Sequence, residues 1–215
     1  RHIDLIRPNY IINCIGVIKQ NSSINEHSEV IKINSLFPHQ LAALSTKHNS
    51  KLIHFSTDCV FSGNAGMYNE SDFEDASDLY GRSKLIGEID YDNHLTLRTS
   101  MIGHELTSKS SLLEWFLDQK GSINGFSKAI FSGLPTVTIA GIIEKIITNH
   151  ENLEGIYHLS ADPINKYELL NLVKKIYSLD VQIKNLFGLY DEFKNISVVF
   201  NYKNNKYYFY QDYDY

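Results

Sequence analysis

Apolar residues recur along this chain in two rhythms. Short runs that are nearly all apolar or strictly alternating, at 9–15, 51–57, 94–99 and 155–160, predict strands. Between them, apolar residues fall three and four apart, as one face of a helix requires. Such helices are predicted at 27–49 (Val30, Ile33, Asn34, Phe37, Leu41, Leu44), at 78–91 (Leu79, Ile86, Ile89), at 111–119, at 136–149 and at 166–179 (Leu169, Leu170, Val173, Ile176). Pro38 has no amide hydrogen to give the preceding turn, so the first of these should kink or break near Phe37. Ser77 or Asp78 is placed to cap the second and Thr136 the fourth. Residues 121–133 mix Gly with Ile and Phe, the pattern of a loop and a short strand. Strands thus alternate with helices along the chain.

Composition narrows the class. A hydrophobic share of 43% and a charged share of 21% are those of an ordinary globular protein. The 215 residues suffice for one domain and a small lobe with a core that needs no staples. The net charge of −5 comes without a basic block, which argues against nucleic acid or an anionic membrane as a partner and leaves room for a local diphosphate pocket. Cys14 and Cys59 are far apart, with no metal-ligand spacing among them and the scattered histidines. Two buried, reduced thiols and no metal are expected. No apolar run approaches ~20 residues and no charged-then-apolar leader opens the chain, so a cytoplasmic protein is expected. The acidic cluster Glu70, Asp72, Glu74, Asp75 and Asp78 is expected to be mostly solvated.

The chemistry gathers at 56–88, STDCVFSGNAGMYNESDFEDASDLYGRSKLIGE. A strand ends in Ser56-Thr57-Asp58, a Gly- and Asp-rich loop follows, and a helix then opens on Tyr80-Gly-Arg-Ser-Lys84. Tyr80 and Lys84 are four apart, one turn apart on one helical face. An ammonium near a phenol favours phenolate, so Lys84 is expected to lower the pKa of Tyr80. With a hydroxyl of Ser56 or Thr57, the pair could polarise a carbonyl and protonate its oxygen as hydride reaches carbon. Gly81 and Gly87 each cost roughly 1 kcal/mol of helix propensity relative to Ala. Their return should be close packing or entry of a ligand.

STDCVFSG, YNESD and DLYGRSKLIGE, with INCIG, the Asn of KINSLFP and LRTSMIG, resemble the extended short-chain dehydrogenase/reductases. Within them, the resemblance is to the dTDP-4-dehydrorhamnose reductase-like branch, which acts on nucleotide-linked keto-sugars. It covers most of the chain and fades after about residue 180. It implies an α/β fold, a Rossmann-like doubly wound parallel sheet with a small C-terminal substrate lobe. No GxGxxG or GxxGxxG appears, so the N-terminal Gly-rich β-α-β part, about sixty residues in the family, is expected to lie outside this sequence. Residues 1–110 would be the remainder of the NAD(P)-binding domain with the catalytic helix. Residues 111–215 would be the substrate lobe together with elements that return to the sheet.

The resemblance also implies roles. Tyr80 would be the proton donor, Lys84 its modulator and ribose ligand, and Thr57 the catalytic hydroxyl, with Ser56 second. NADP or NAD would lie along Asn13, Cys14, Ile15, Gly16, Ser56, Tyr80, Lys84, Thr99 and Ser100. The sugar would meet Thr57, Asp58, Cys59 and Met101, and Asn34 would support Lys84 through water. Near relatives carry Tyr where Cys59 stands and Trp where Met101 stands, so those contacts should differ here. The implied activity is reduction of a nucleotide-linked 4-keto-6-deoxy sugar, in polysaccharide or deoxysugar biosynthesis. An epimerase or dehydratase of the same fold, and a non-catalytic binding or regulatory relative, are the alternatives. Seven of the fourteen tyrosines lie beyond residue 184. That tail is expected to fray, to form a strand or to make an oligomer contact such as a homodimer's, and no site residue is placed in it.

Overall fold

Four of the apolar runs form one parallel sheet. The computed structural model describes residues 2–18, 27–107, 109 and 111–187; most of the Tyr-rich tail lies outside them. In chain order the elements are α1 (His2–Ile6), β1 (Tyr10–Asn13), α2 (His27–Val30), a π-helical turn (Ile31–Leu36), α3 (Phe37–Lys47), β2 (Lys51–Ser56), a 3-10 turn (Asp58–Val60) and α4 (Leu79–Ile86). There follow β3 (Leu95–Thr99), β4 (Met101–Ile102), α5 (Leu112–Leu117), β5 (Gly121–Phe126), β6 (Ile130–Phe131), β7 (Leu134–Pro135), α6 (Thr136–Asn149), β8 (Gly155–Leu159), β9 (Ile164–Asn165), α7 (Lys166–Ile176) and β10 (Val181–Leu186). The main sheet runs β1-β2-β3-β8, with every pairing parallel.

Its two faces differ in chemistry. Ile53, Phe55, Leu95, Leu97 and Leu159 point to one side and pack on Ile139, Ile142, Ile143 and Ile146 of α6. This is the inner stripe expected of 136–149, and it makes the largest apolar cluster. The alternate positions, facing α3 and α4, are Asn13, His54, Ser56, Thr96 and Arg98, all at most 5% exposed. A polar sheet face is stable only if its groups are paired, and those pairings build the site. A second cluster, Leu113, Phe116, Leu170, Val173 and Val181, joins α5 and α7 to the parallel β5–β10 pair.

The expected disruption at Pro38 takes the form of a widened turn. The Phe37 amide reaches back to the carbonyl of Lys32, the π-helical pattern, and α3 then starts with Pro38 in its first turn, where a missing amide costs nothing. Three expectations need correction. Thr136 is the first residue of α6 and makes no side-chain cap; Pro135 holds the cap position. The α4 helix stops at Ile86, and Ile86 is 62% exposed; its inward face is Gly81, Ser83 and Lys84, so no apolar stripe seats it. Ile176 ends α7 in solvent at 66% exposure. The strand β10 has no counterpart among the predicted elements.

Candidate active site

The carboxyl ends of β1, β2 and β3 meet the start of α4. Asp78 caps that helix, its Oδ1 accepting from the Gly81 amide at 2.8 Å. A methyl on Gly81 would collide with the Cys59 carbonyl, and one on Gly87 with the Asn34 carbonyl. Close packing is therefore what both glycines give. They let α4 lie main chain to main chain against the turn after β2 and against the π-helical turn.

That contact sets the Tyr80 phenol near the Thr57 hydroxyl, close enough for Thr57 to favour its ionised form. The Thr57 Oγ1 accepts from the Cys59 amide at 3.1 Å and donates to Asp58 Oδ1 at 3.3 Å. The other Asp58 oxygen accepts from Ser100 Oγ at 2.6 Å. Burial pushes the Tyr80 phenol above its ordinary pKa, Cys59, Asp58 and Asp78 add to the rise, and the Thr57 hydroxyl opposes it. The lowering expected from Lys84 does not figure among the influences on the phenol; burial dominates, and Tyr80 holds its proton. Burial likewise raises the Asp58 carboxyl, against its hydrogen bonds from Ser100 and Thr57.

Lys84 is 5% exposed, and its Nζ donates to the Phe55 carbonyl at 2.6 Å. Burial lowers its pKa to about 8, with Glu88 and Cys14 pulling the other way. Gly16 lies over it: a Cβ built there would stand 3.9 Å from Lys84 Nζ and 3.5 Å from Asn34 Oδ1. Asn34 is fully buried and clasps the loop after β1. Its Oδ1 accepts from the Val17 amide at 2.8 Å, while its Nδ2 donates to the Val17 carbonyl at 3.0 Å and to Ser83 Oγ at 3.1 Å. Asn13 ties the start of the same loop, its Oδ1 accepting from the Ile15 amide at 3.1 Å, and its Nδ2 meets His54 Nδ1 at 3.0 Å. Burial, reinforced by Lys84 and His39, drives His54 down to about 3, so it is neutral.

Ser56 turns the opposite way from Thr57. Its hydroxyl donates to Glu88 Oε1 at 2.7 Å, inside a buried network. Arg98, 1% exposed, grips Glu88 with Nε at 2.8 Å and Nη2 at 2.7 Å, and its Nη2 also meets Glu74. Burial opposes the guanidinium charge, but the two carboxylates more than offset this and hold its pKa above the ordinary value. The acidic loop is therefore tied down rather than solvated. Glu74 takes Arg98, Glu70 accepts from the His158 amide at 3.0 Å, and Asp75 accepts from the Ser62 amide at 2.6 Å.

The site thus joins Thr57, Asp58 and Ser100 by hydrogen bonds, with the Tyr80 phenol beside Thr57. Asn13, Cys14, Gly16, Asn34 and Lys84 form an adjoining group. Thr99 Oγ1 bonds only to the Ser100 carbonyl, at 3.2 Å. Ile15 is 58% exposed and Met101 46% exposed. Cys14 is exposed and Cys59 half-buried, correcting the expectation of two buried thiols; both follow strand ends, where the chain leaves the core. His54, Glu88 and Arg98 join the site without having been expected in it. The alternation of 94–99 set Arg98 on the face opposite Leu95 and Leu97, and the sequence did not show that this face is buried too. Among the described residues no helix is long and apolar enough to cross a membrane.

With this geometry in hand, comparison with known proteins gives a consistent picture. The family model "RmlD substrate binding domain" matches residues 1–186. A dTDP-4-dehydrorhamnose reductase of Aggregatibacter actinomycetemcomitans is 30% identical over 177 residues, 75% of this chain and 58% of the relative. Methionine adenosyltransferase 2 subunit beta of Danio rerio is 27% identical over 191 residues, 82% of this chain and 58% of that protein. The chain therefore spans 58% of the length of each of these relatives. The crystal structure of dTDP-4-dehydrorhamnose reductase from Bacillus anthracis in complex with NADP shares the fold, with a TM-score of 0.78 at 23% identity over 92% of this chain and 73% of that one.

Proposed function

The chain belongs to the RmlD substrate binding domain family, and on that premise we propose that it carries the proton-donating and sugar-holding part of an NADPH- or NADH-dependent reductase. Its substrate would be a nucleotide-linked 4-keto-6-deoxy sugar, made for a polysaccharide or deoxysugar. The observation that carries this reading is the placement of the Tyr80 phenol by the Thr57 hydroxyl at the sheet's carboxyl edge, one helical turn from a buried Lys84. The relative from Aggregatibacter actinomycetemcomitans, named for this reaction, supports it.

The residues present fit the nicotinamide-ribose end of the cofactor. Gly16 leaves bare backbone over Lys84, and the Asn13 and Asn34 side chains hold that loop in shape. Lys84, with two donor hydrogens beyond the one given to Phe55, would bind ribose hydroxyls. The bound cofactor supplies hydride to the carbonyl carbon. Thr57 turns its hydroxyl from Asp58 to the carbonyl oxygen and orients it. Tyr80, kept protonated by burial, gives its proton to that oxygen as charge develops there. Residues 1–110 then hold the nicotinamide end and the proton donor, and the part from 111 onward holds the sugar nucleotide. Cys59 and Met101 line the mouth and set which sugar is accepted.

The test uses the chain with NADPH and a dTDP-linked 4-keto-6-deoxyhexose. Sugar-dependent NADPH oxidation is expected. Tyr80→Phe should lower it by about a hundredfold or more and leave the sugar nucleotide's Kd, read by calorimetry, within about threefold. A chain that neither binds the sugar nucleotide nor oxidises NADPH refutes the proposal. A second reading, a binding subunit without turnover, is favoured by the relative named as a subunit of methionine adenosyltransferase. Binding of cofactor or sugar nucleotide without oxidation would select it.

A further inference from the structure

The Asn13 side chain is 2% exposed, and both ends of its amide are engaged inside the protein. The backbone fixes which end is which. The Ile15 amide can only donate, so the atom it meets at 3.1 Å is Oδ1. The other end, Nδ2, is then a donor, and it stands 3.0 Å from Nδ1 of the fully buried His54. A donor there needs a lone pair opposite it. The His54 ring therefore carries its proton on Nε2 and offers Nδ1 as an acceptor. Nε2 meets no hydrogen-bond partner among the described residues, so the Asn13 contact alone selects this tautomer. We propose that His54 is a positioning residue: its Nδ1 acceptor locks the Asn13 amide, and the locked amide holds the turn of Cys14, Ile15 and Gly16 over Lys84, where the nicotinamide ribose would lie. The inference rests on the reductase reading and adds to it a residue that touches neither cofactor nor sugar.

The geometry shows why one acceptor matters. Asn13 Oδ1 closes an Asx turn on the Ile15 amide, the local bond that bends the chain as it leaves β1. Gly16 follows at once, and a Cβ built on it would stand 3.9 Å from Lys84 Nζ. The far end of the loop is held separately, by Asn34 on both the amide and the carbonyl of Val17. Without the His54 acceptor, a buried Nδ2 would be left unpaired. The amide would then turn, or the strand end would open, to recover a partner. A second proton on the ring would have the same effect. Burial excludes it, and the neighbouring Lys84 and His39 oppose it as well.

Two-bond nitrogen–proton correlation spectra read the tautomer directly in the wild-type chain. A bare Nδ1 and a protonated Nε2 are expected at neutral pH, and a proton on Nδ1 overturns the proposal. This arm needs no variant, so it decides even where a substitution unfolds the chain. His54→Leu keeps bulk without an acceptor, and His54→Asn returns one near the place of Nδ1. In His54→Leu the Ile15 amide should exchange with solvent about tenfold or more faster, roughly what one buried hydrogen bond protects. In His54→Asn it should stay within about threefold of wild type. The Gly81 amide, bonded to Asp78 at the α4 cap, should stay within about threefold in both variants. Equal gains at Ile15 and Gly81 would mean general loosening, and no gain at Ile15 would mean an idle contact; either overturns the proposal. In turnover, His54→Leu should raise the KM for NADPH about tenfold while kcat moves less than about threefold, and His54→Asn should restore the KM. A fall in kcat with the KM unchanged also overturns it. A wild type that reduces nothing fails the reductase reading alone, and the tautomer and the Ile15 amide still decide the role of His54.

Discussion

Replacing Arg98 with methionine removes the one cation that serves two carboxylates at the core of the sheet's polar face. The guanidinium makes two bonds to Glu88, whose side chain is 4% exposed, and one to Glu74, at 25%. Methionine has nearly the same reach, so the packing loss is small and the cost is electrostatic. Glu88 would keep the Ser56 hydroxyl as a hydrogen-bond partner and the Lys84 ammonium as a nearby charge. Breaking a buried pair from one side costs about 3–5 kcal/mol, because the remaining charge stays desolvated. For a domain of this length each kcal/mol lowers the Tm by about 2–4 °C, so a fall of roughly 6–20 °C is expected. Differential scanning calorimetry and urea unfolding measure it. The double variant Arg98→Met with Glu88→Gln has no stranded Glu88 charge, and should lose about 2 kcal/mol less than the two single losses summed. A single-variant cost below about 1 kcal/mol, or additive losses, would refute the view that this network is paired because it is buried.

Two further predictions concern the same face. His54 has a folded pKa of about 3 against 6.5 for an unperturbed histidine, so below pH 6.5 the unfolded chain binds a proton that the folded one refuses. Stability is then present above that pH and is lost as it falls, by about 2 kcal/mol at pH 5; His94 is shifted the same way. Urea midpoints at pH 7 and pH 5 should show this loss, and His54→Gln should flatten it; an equal slope in the variant would count against the assignment. Gly87→Ala drives a methyl into the Asn34 carbonyl and should cost about 1–3 kcal/mol. Gly16→Ala, whose methyl meets only ordinary contacts, should cost less than about 0.5 kcal/mol. Equal thermal shifts for the two alanines would show that α4 is not seated by its backbone.

Much of this architecture was legible because periodicity reports burial. The runs at 51–57 and 94–99 are apolar at the positions that meet α6, and they formed β2 and β3. The Tyr80–Lys84 spacing and the hydroxyl after β2 were equally plain, since both are local. The missing parts were relational. Ser56 and Thr57 are neighbours of like chemistry, and only the pleat sends one to Glu88 and the other to Tyr80. The α4 helix looked apolar on its inner side because Leu79, Ile86 and Ile89 keep helical spacing. The early stop at Gly87 leaves Ile86 outside and Ile89 buried beyond the helix. The acidic loop looked solvated because its partner, Arg98, lies some twenty residues away in the sequence, and β10 was obscured by the polar residues along its exposed edge.

The seating of α4 also bears on how this protein can change. Where side chains set the gap between two elements, a larger or smaller residue retunes it. Here two main-chain carbonyls act as the stops, so the spacing of phenol and alcohol is built into the chain path. A ligand arriving at this edge has little left to order and can spend its contacts elsewhere. On the proposed reading, a change of ligand would fall to exposed side chains at this edge such as Met101, while Tyr80 and Thr57 keep their spacing.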